Sequence, residues 1–234
     1  MSTALSNQLL LTQTQDRAAQ LEKINQIETA LSQADDEAGI IQALTLLSNN
    51  EQSISLYYTA EENQPKNVYM VAHWENGEVR LEEDYLHESF DVNLHPGLAV
   101  SLKQPDRITY VSDVKSDVRI SKKAAKEAKG YGYRSVMVVP LRSAGRWQGF
   151  VSVKWEKTHI FSRNESSVWE QLREALAAVV ASRRAYEQAE TQAREARNRS
   201  NELAILNEMG RSLTALVDMD AILESVYRYT ARLM

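Results

Sequence analysis

From Ser162 to about residue 215 the chain contains no proline, and its only glycine is Gly210. The stretch opens with Ser162-Arg163-Asn164-Glu165, a capping box in which the Ser162 hydroxyl accepts from the Glu165 amide and the Glu165 carboxylate reaches back. At 1.5 Å per residue such a helix runs on the order of 70 Å. That is more than one small domain needs to cover its sheet, so any fold for this chain must accommodate a helix longer than its core.

The apolar seam of that helix is informative. Trp169, Leu172, Leu176, Val179, Arg183 and Tyr186 follow alternating steps of three and four, which is heptad spacing. Further on the seam weakens to Ala189, Ala193, Ala196 and Ser200 among Glu, Gln and Arg. Two readings fit: a solvated extension, helical by propensity alone, or a parallel coiled coil with a weak centre. The coiled coil is preferred, because an isolated polar helix has little packing to stabilise it. Residues 162–201 are therefore expected to form a long coiled-coil helix in a parallel homodimer.

Residues 1 to about 48 also read as helix, with Leu10, Leu21, Ile24 and Leu31 on one stripe. Ala34-Asp35-Asp36-Glu37 breaks it and offers an N-cap to a second helix, whose buried face is Ile40, Ile41, Leu44 and Leu47. Between about 51 and 156 the period changes from 3.6 to 2. Ile54, Leu56 and Tyr58 alternate with their neighbours, as do Val68, Met70, Ala72 and Trp74 ahead of an Asn76-Gly77 turn signal. The runs Ser135–Leu141 and Trp147–Trp155 flank a hairpin loop, Ser143-Ala144-Gly145-Arg146, and put Trp147, Gly149, Val151, Val153 and Trp155 on one face. Short helices are expected near Gly97–Leu102 and Ser121–Lys129. The sum is an α+β fold, a central antiparallel sheet with flanking helices.

The N-terminal helical segment recurs. Gln20–Leu44 laid on Glu202–Val226 without gaps pairs Leu21 with Leu203, Asn25 with Asn207, Leu31 with Leu213 and Ile40 with Ile222, at a constant offset of 203 − 21 = 182. Asp36 falls on Asp218. Apolar matches between amphipathic helices are cheap, but an Asn and an Asp-containing break in the same register are harder to obtain by accident. The segment 202–234 reads as the truncated start of a second copy of the domain, the alternative being a helical hairpin closing on its own core.

The bulk numbers exclude several classes. With no cysteine among 234 residues, the chain has no disulfides, thiolate metal sites or cysteine nucleophiles. A net charge of -5 gives no basic footprint for nucleic acid. The longest apolar run, Ala175–Ala181, falls far short of the roughly 20 residues of a membrane span, and residues 1–20 lack a signal-peptide pattern. A cytoplasmic location is expected.

Three stretches then carry a resemblance: His95-Pro96-Gly97-Leu98-Ala99; Ile108-Thr109-Tyr110-Val111-Ser112-Asp113-Val114; and Gly132-Tyr133-Arg134-Ser135-Val136-Met137-Val138-Val139-Pro140-Leu141. With Gly145 to Val153, Phe161-Ser162 and the long helix that follows, their order and spacing resemble the GAF family over about residues 20–185. The resemblance implies a GAF-like central antiparallel sheet of five or six strands, extended by long N- and C-terminal coiled-coil helices. It divides the chain into a linker helix 1–19, a GAF-like domain 20–161, the long helix 162–201 and the repeat 202–234. It also implies a bacterial-type sensory or regulatory module, with helices on one face of the sheet forming a dimer bundle and a ligand pocket on the other.

Members of that family bind cyclic nucleotides, bilins, haem or small metabolites. Covalent bilin attachment needs a cysteine and is excluded, as is cysteine-based sulfoxide reduction. A cyclic-nucleotide signature is incomplete, since Thr158 stands where a Lys belongs. The haem candidates His73, His87, His95 and His159 are scattered, and a lone His is more often a surface or satisfied core residue. No cofactor is evident, and the remaining expectation is an unidentified small molecule. By the family's pattern the pocket lies between the sheet and residues 84–133, near Trp74, Tyr110, Asp113, Tyr133, Arg134 and Ser135. Each also has a structural role available, and that role is preferred: Asp113 can cap the turn after it, Arg134 can be a solvated strand-edge charge, and Trp74 can fill the core.

No glycine-rich phosphate loop, metal-spaced cluster or nucleophile–base pair marks catalysis. The chain is expected not to be an enzyme; a histidine kinase or cyclase output domain would lie beyond residue 234. The alternative to sensing is a ligand-free module that dimerises and spaces its neighbours.

Overall fold

Asp36 sets the first boundary of the fold. Its backbone is extended and its carboxylate accepts from the Gly39 amide at 2.7 Å, so one helix ends before it and the next begins after it. The computed structural model describes residues 2–48, 51–81 and 89–231, with the side chains of 2–13, 16, 212–218, 225 and 229 left out of the description. The helices are α1 (Ser2–Ser32), α2 (Glu37–Thr45), α3 (Pro96–Ser101), α4 (Lys122–Gly130) and α5 (Arg163–Thr230). The strands are β1 (Gln52–Thr59), β2 (Asn67–Glu75), β3 (Glu78–Arg80), β4 (Phe90–Asp91), β5 (Thr109–Val111), β6 (Ser135–Ser143) and β7 (Arg146–Trp155). They form one antiparallel sheet in the order β3-β2-β1-β7-β6-β5, with β4 also paired to β2.

Both hairpins close as the turn signals predict. Asn76 and Gly77 have φ of 53° and 86°, and Ala144 and Gly145 have 50° and 78°, the left-handed pairs of two-residue turns whose twist matches the strands. β1 and β7 cross so closely at Gly149 that a Cβ there would stand 2.0 Å from the Tyr57 carbonyl oxygen, which requires glycine at this position.

The sheet is covered on both faces. On one, α1, α2 and α5 bury Ile24, Ile27, Leu31, Ile40, Ile41, Leu44, Trp169, Leu172 and Leu176 against Ile54, Leu56, Val151 and Val153. On the other, Leu98 of α3 and Ala128 of α4 pack with Tyr57, Val136, Val138 and Phe150.

Two β-bulges alter the expected alternation. Leu56 pairs with Ala72 and Tyr57 with Met70, so Val71 is an extra residue. Val71, Ala72 and Trp74 therefore face α1, α2 and α5, while Val68 and Met70 face α3 and α4. Leu141 pairs with Gly149 and Arg142 with Trp147, so Gln148 is extra and Trp147 turns away from Val151, Val153 and Trp155 to pack on Phe150 at 4.9 Å. In α1 the buried stripe runs through Ile24, Ile27 and Leu31; Leu21 is exposed, and the side chain of Leu10 lies outside the described residues.

The capping box forms as read, with the Glu165 amide 3.1 Å from the Ser162 hydroxyl and the Ser162 amide 3.4 Å from the Glu165 carboxylate. The chain divides into two units, Met1–Arg184 and Ala185–Met234. In the first, Trp169, Leu172 and Leu176 are buried in the chain's own core, Val179 packs partly against it, and Arg183 pairs with Glu37 at 3.4 Å. Their heptad spacing is thus used by the domain itself, each buried leucine contributing on the order of 2 kcal/mol. In the second unit Tyr186, Leu203, Leu206, Met209, Ile222, Leu223 and Val226 are exposed. The break that the repeat places at Asp218 is helical. Ile40 and Leu44 are held on a sheet, whereas Ile222 and Val226 have no such packing to stabilise a turn.

Candidate functional site

The polar groups gather on the α3/α4 face, at strand positions that alternate with the apolar ones. Ser55 and Tyr57 point there from β1, Lys154 from β7 and His73 from β2. The Lys154 ammonium donates to the Tyr57 hydroxyl at 2.9 Å and lies 3.4 Å from the Ser55 hydroxyl. It also stands 5.4 Å from the centre of the Tyr57 ring and 5.6 Å from that of Tyr133. Ser55 and His73 Nδ1 are 3.0 Å apart. His95, immediately before Pro96 of α3, packs against Tyr57, Phe90 and Tyr131.

Half-buried Lys154 carries the charge of this cluster. Burial, and then the Lys154 charge, pushes His95 down to about 4. The same two causes lower His73. Burial raises the Tyr133 phenol. Both imidazoles and the phenol are therefore neutral near pH 7. Among the described residues, no carboxylate lies within 4.0 Å of the Lys154 ammonium.

Among the described residues, two spaces adjoin it. Beneath Lys154, against Tyr57, His95, Gly97, Tyr133, Val136 and Val138, the gap is only about 10 Å³. A crevice of about 420 Å³ opens on the other side, walled by Lys154, Tyr131, Tyr133, Trp155, Lys157 and His159 and rimmed by Glu51, Glu75 and Glu156. That volume suits a small metabolite.

Of the six residues expected near a pocket, only Tyr133 lines these spaces. Trp74 packs in the core on the opposite face, turned there by the Val71 bulge, and Tyr110 lies against that same core with its ring 5.0 Å from Phe161. Asp113 caps its own turn through the Lys115 amide at 3.0 Å and pairs with exposed Arg134 at 2.9 Å. The hydrogen-bonded Arg134 guanidinium holds the Asp113 carboxyl at about 2. The Ser135 hydroxyl is a structural rivet, 2.6 Å from the Ser112 carbonyl and 2.9 Å from that of Lys157, and it accepts from the His159 amide at 2.7 Å.

The groups that do converge, Ser55, Tyr57 and Lys154, occupy the polar phase of strands whose apolar phase was read as the buried one. Their signal was a lysine among hydroxyl-bearing positions on two paired strands. Of the histidines, His73 and His95 stand in this cluster, His159 stacks on Trp155 and bonds Glu165 at 3.0 Å, and His87 lies outside the described residues. Among the described residues no three His, Asp or Glu side chains gather to hold a metal, and no helix is long and apolar enough to cross a membrane.

No protein-family model matches the chain. No curated protein matches it either. Solved structures do. The GAF domain of an Acinetobacter phosphoenolpyruvate-protein phosphotransferase superposes with a TM-score of 0.55 at 17% identity, covering 73% of this chain and 98% of that one. The corresponding domain from Coxiella burnetii gives 0.55 at 14%, covering 72% and 96%. The chromophore-binding domain of Stigmatella aurantiaca phytochrome P1 gives 0.52 at 16%, covering 68% of this chain and 59% of its own. The sheet order, the helical layer on one face and the polar cluster under α3 and α4 thus belong to a chain with the fold of a GAF domain.

Proposed function

We propose that the chain is a cytoplasmic regulatory module of signal transduction. A small molecule or partner is sensed on the α3/α4 face, and the change is relayed through α5, in a parallel homodimer, to a neighbouring domain of the same polypeptide. The observation that carries this reading is a pair of consecutive tyrosines in β1. The Tyr57 hydroxyl accepts from Lys154 on one face, and the Tyr58 hydroxyl donates to Glu37 at 2.9 Å on the other. Glu37 also accepts from Arg183 of α5 at 3.4 Å, and the Arg184 guanidinium stands 5.2 Å from the Tyr58 ring. A shift of one strand is therefore felt both at the pocket and at the helix. Neighbours that come from a phosphotransferase and from phytochromes support reading the fold as a module with no catalysis of its own.

Exposed Tyr186, Ala189, Ala193, Ala196 and Ser200 continue the heptad past the residues the core has used, and they are the seam proposed for the dimer. The repeat supports a second domain beginning near residue 202. Ile24, Ile27, Ile40, Ile41 and Leu44, all buried, recur at +182 as Leu206, Met209, Ile222, Leu223 and Val226. The small gap beneath Lys154, about 10 Å³, favours the alternative of a ligand-free dimerising spacer.

A cysteine-free chain permits a direct test. With Ala193→Cys, a parallel seam gives rapid symmetric disulfide cross-linking that Thr191→Cys does not. The relay predicts that adding Lys154→Met changes the cross-linking rate. An unchanged rate supports the spacer, and no cross-linking rejects the dimer.

A further inference from the structure

We propose that the crevice at the foot of β1 and β7 binds a small anionic molecule, a carboxylate or a phosphate ester, whose charged group takes the free side of the Lys154 ammonium. The inference rests on the sensory reading and names its ligand class.

The charge balance of the cluster leads to it. Lys154 sits half-buried at the next-to-last residue of β7, where an ammonium is costly to hold unless it is compensated. Among the described residues its partners are neutral: the Tyr57 and Ser55 hydroxyls and the faces of Tyr57 and Tyr133. An ammonium has three protons to donate; the Tyr57 contact uses one well, and the Ser55 contact is long. His73 and His95 stay neutral beside it, so neither supplies an anion nor competes as a cation.

The carboxylates that rim the crevice, Glu51, Glu75 and Glu156, are exposed residues and make no ion pair with Lys154. Solvent screens such charges strongly, whereas an anion resting against a half-buried ammonium and two aromatic faces is screened far less. The crevice has room for such a molecule, whereas the gap beneath Lys154 is the size of one water. Tyr131 and Tyr133 add aromatic wall and, at Tyr133, a hydroxyl held protonated.

The test uses the full chain at neutral pH with three probes, succinate, inorganic phosphate and the neutral isostere succinamide, read by isothermal titration and by NMR shifts of the Tyr57, His95 and Tyr133 rings. The expectation is saturable binding of succinate or phosphate, the preferred one separating the carboxylate from the phosphate source, with shifts centred on those rings. Lys154→Met, which keeps the stem, should weaken it about tenfold or more. Lys154→Arg should retain part of it. Lys157→Met, on the same crevice but exposed, should change it by less than about twofold. If Lys154→Met fails to fold, the arginine variant and succinamide carry the comparison. Equal binding of succinamide and succinate would overturn the anion assignment while leaving the sensory reading intact. Loss of binding in Lys157→Met but not Lys154→Met, or no saturable shift with either anion, would overturn it as well. The cross-linking experiment tests the sensory reading independently.

Discussion

The guanidinium of Arg184 donates to the carbonyl oxygen of Gln148 at 2.6 Å, and Gln148 is the residue that the β7 bulge leaves without a strand partner. A second donor from the same side chain reaches the Thr59 carbonyl at 3.1 Å at the end of β1. A bulge frees a backbone carbonyl from the ladder, and a buried carbonyl must find another donor. Arg184 supplies it from α5, at the last residue of the first unit.

Replacing Arg184 with Met should therefore destabilise the domain by about 2–4 kcal/mol, because it strands two buried acceptors at once. Urea unfolding measures it. A loss under about 0.5 kcal/mol would mean that water satisfies those carbonyls as well as the guanidinium does.

Gly149→Ala places a methyl group 2.0 Å from the Tyr57 carbonyl oxygen. Backbone cannot yield as a flexible side chain can, so the cost should reach about 3 kcal/mol or more, or folding should fail. The same substitution at Gly77, where a Cβ meets nothing within 4 Å, is a control whose cost comes from its φ of +86° alone.

Ala144 holds a φ of 50° in the β6–β7 turn, a conformation that costs an alanine roughly 1 kcal/mol. Ala144→Asn should raise stability by about 0.5–1 kcal/mol, since Asn-Gly is the favoured pair for this turn. Thermal unfolding would show it as a higher midpoint.

Acid should weaken the domain through the α3/α4 face. His95 is held at about 4, against 6.5 in an unfolded chain, and among the described residues the groups near it are Lys154 of β7, Asp91 of β4, Tyr57 of β1, Phe90, Tyr131 and Tyr133. Between those two values the unfolded chain binds a proton that the folded chain does not. The stability from keeping His95 neutral is present above about pH 6.5 and is lost as pH falls toward about 4. His73, also lowered, adds with the same sign. Urea midpoints at about pH 7.5 and about pH 5 should differ less in His95→Gln than in the native chain.

The periodic apolar positions located the layer of α1, α2 and α5 and most of the sheet, because burial on one face imposes a repeat that needs no tertiary knowledge. Val71 and Gln148 were not legible: a bulge looks in sequence like any strand residue, yet each one reversed the face of its neighbours and moved Trp74 and Trp147. The candidate site suffered from the same parity. Ser55, Tyr57 and Lys154 alternate with core residues and so resemble a solvent face, until α3 and α4 are seen to cover it. Arg183 fitted a heptad position by spacing, but Glu37, 146 positions earlier in the chain, is what it meets.

The most direct test of coupling across the sheet is the NMR signal of the Arg184 guanidinium Nε–H in a chain carrying Lys154→Met. Coupling through Tyr57 and Tyr58 predicts that this signal, together with the Glu37 and Gln148 amides, shifts although the substitution lies on the opposite face. Changes confined to Ser55, Tyr57, His95 and Tyr133, with Arg184 unmoved, would contradict a relay through β1.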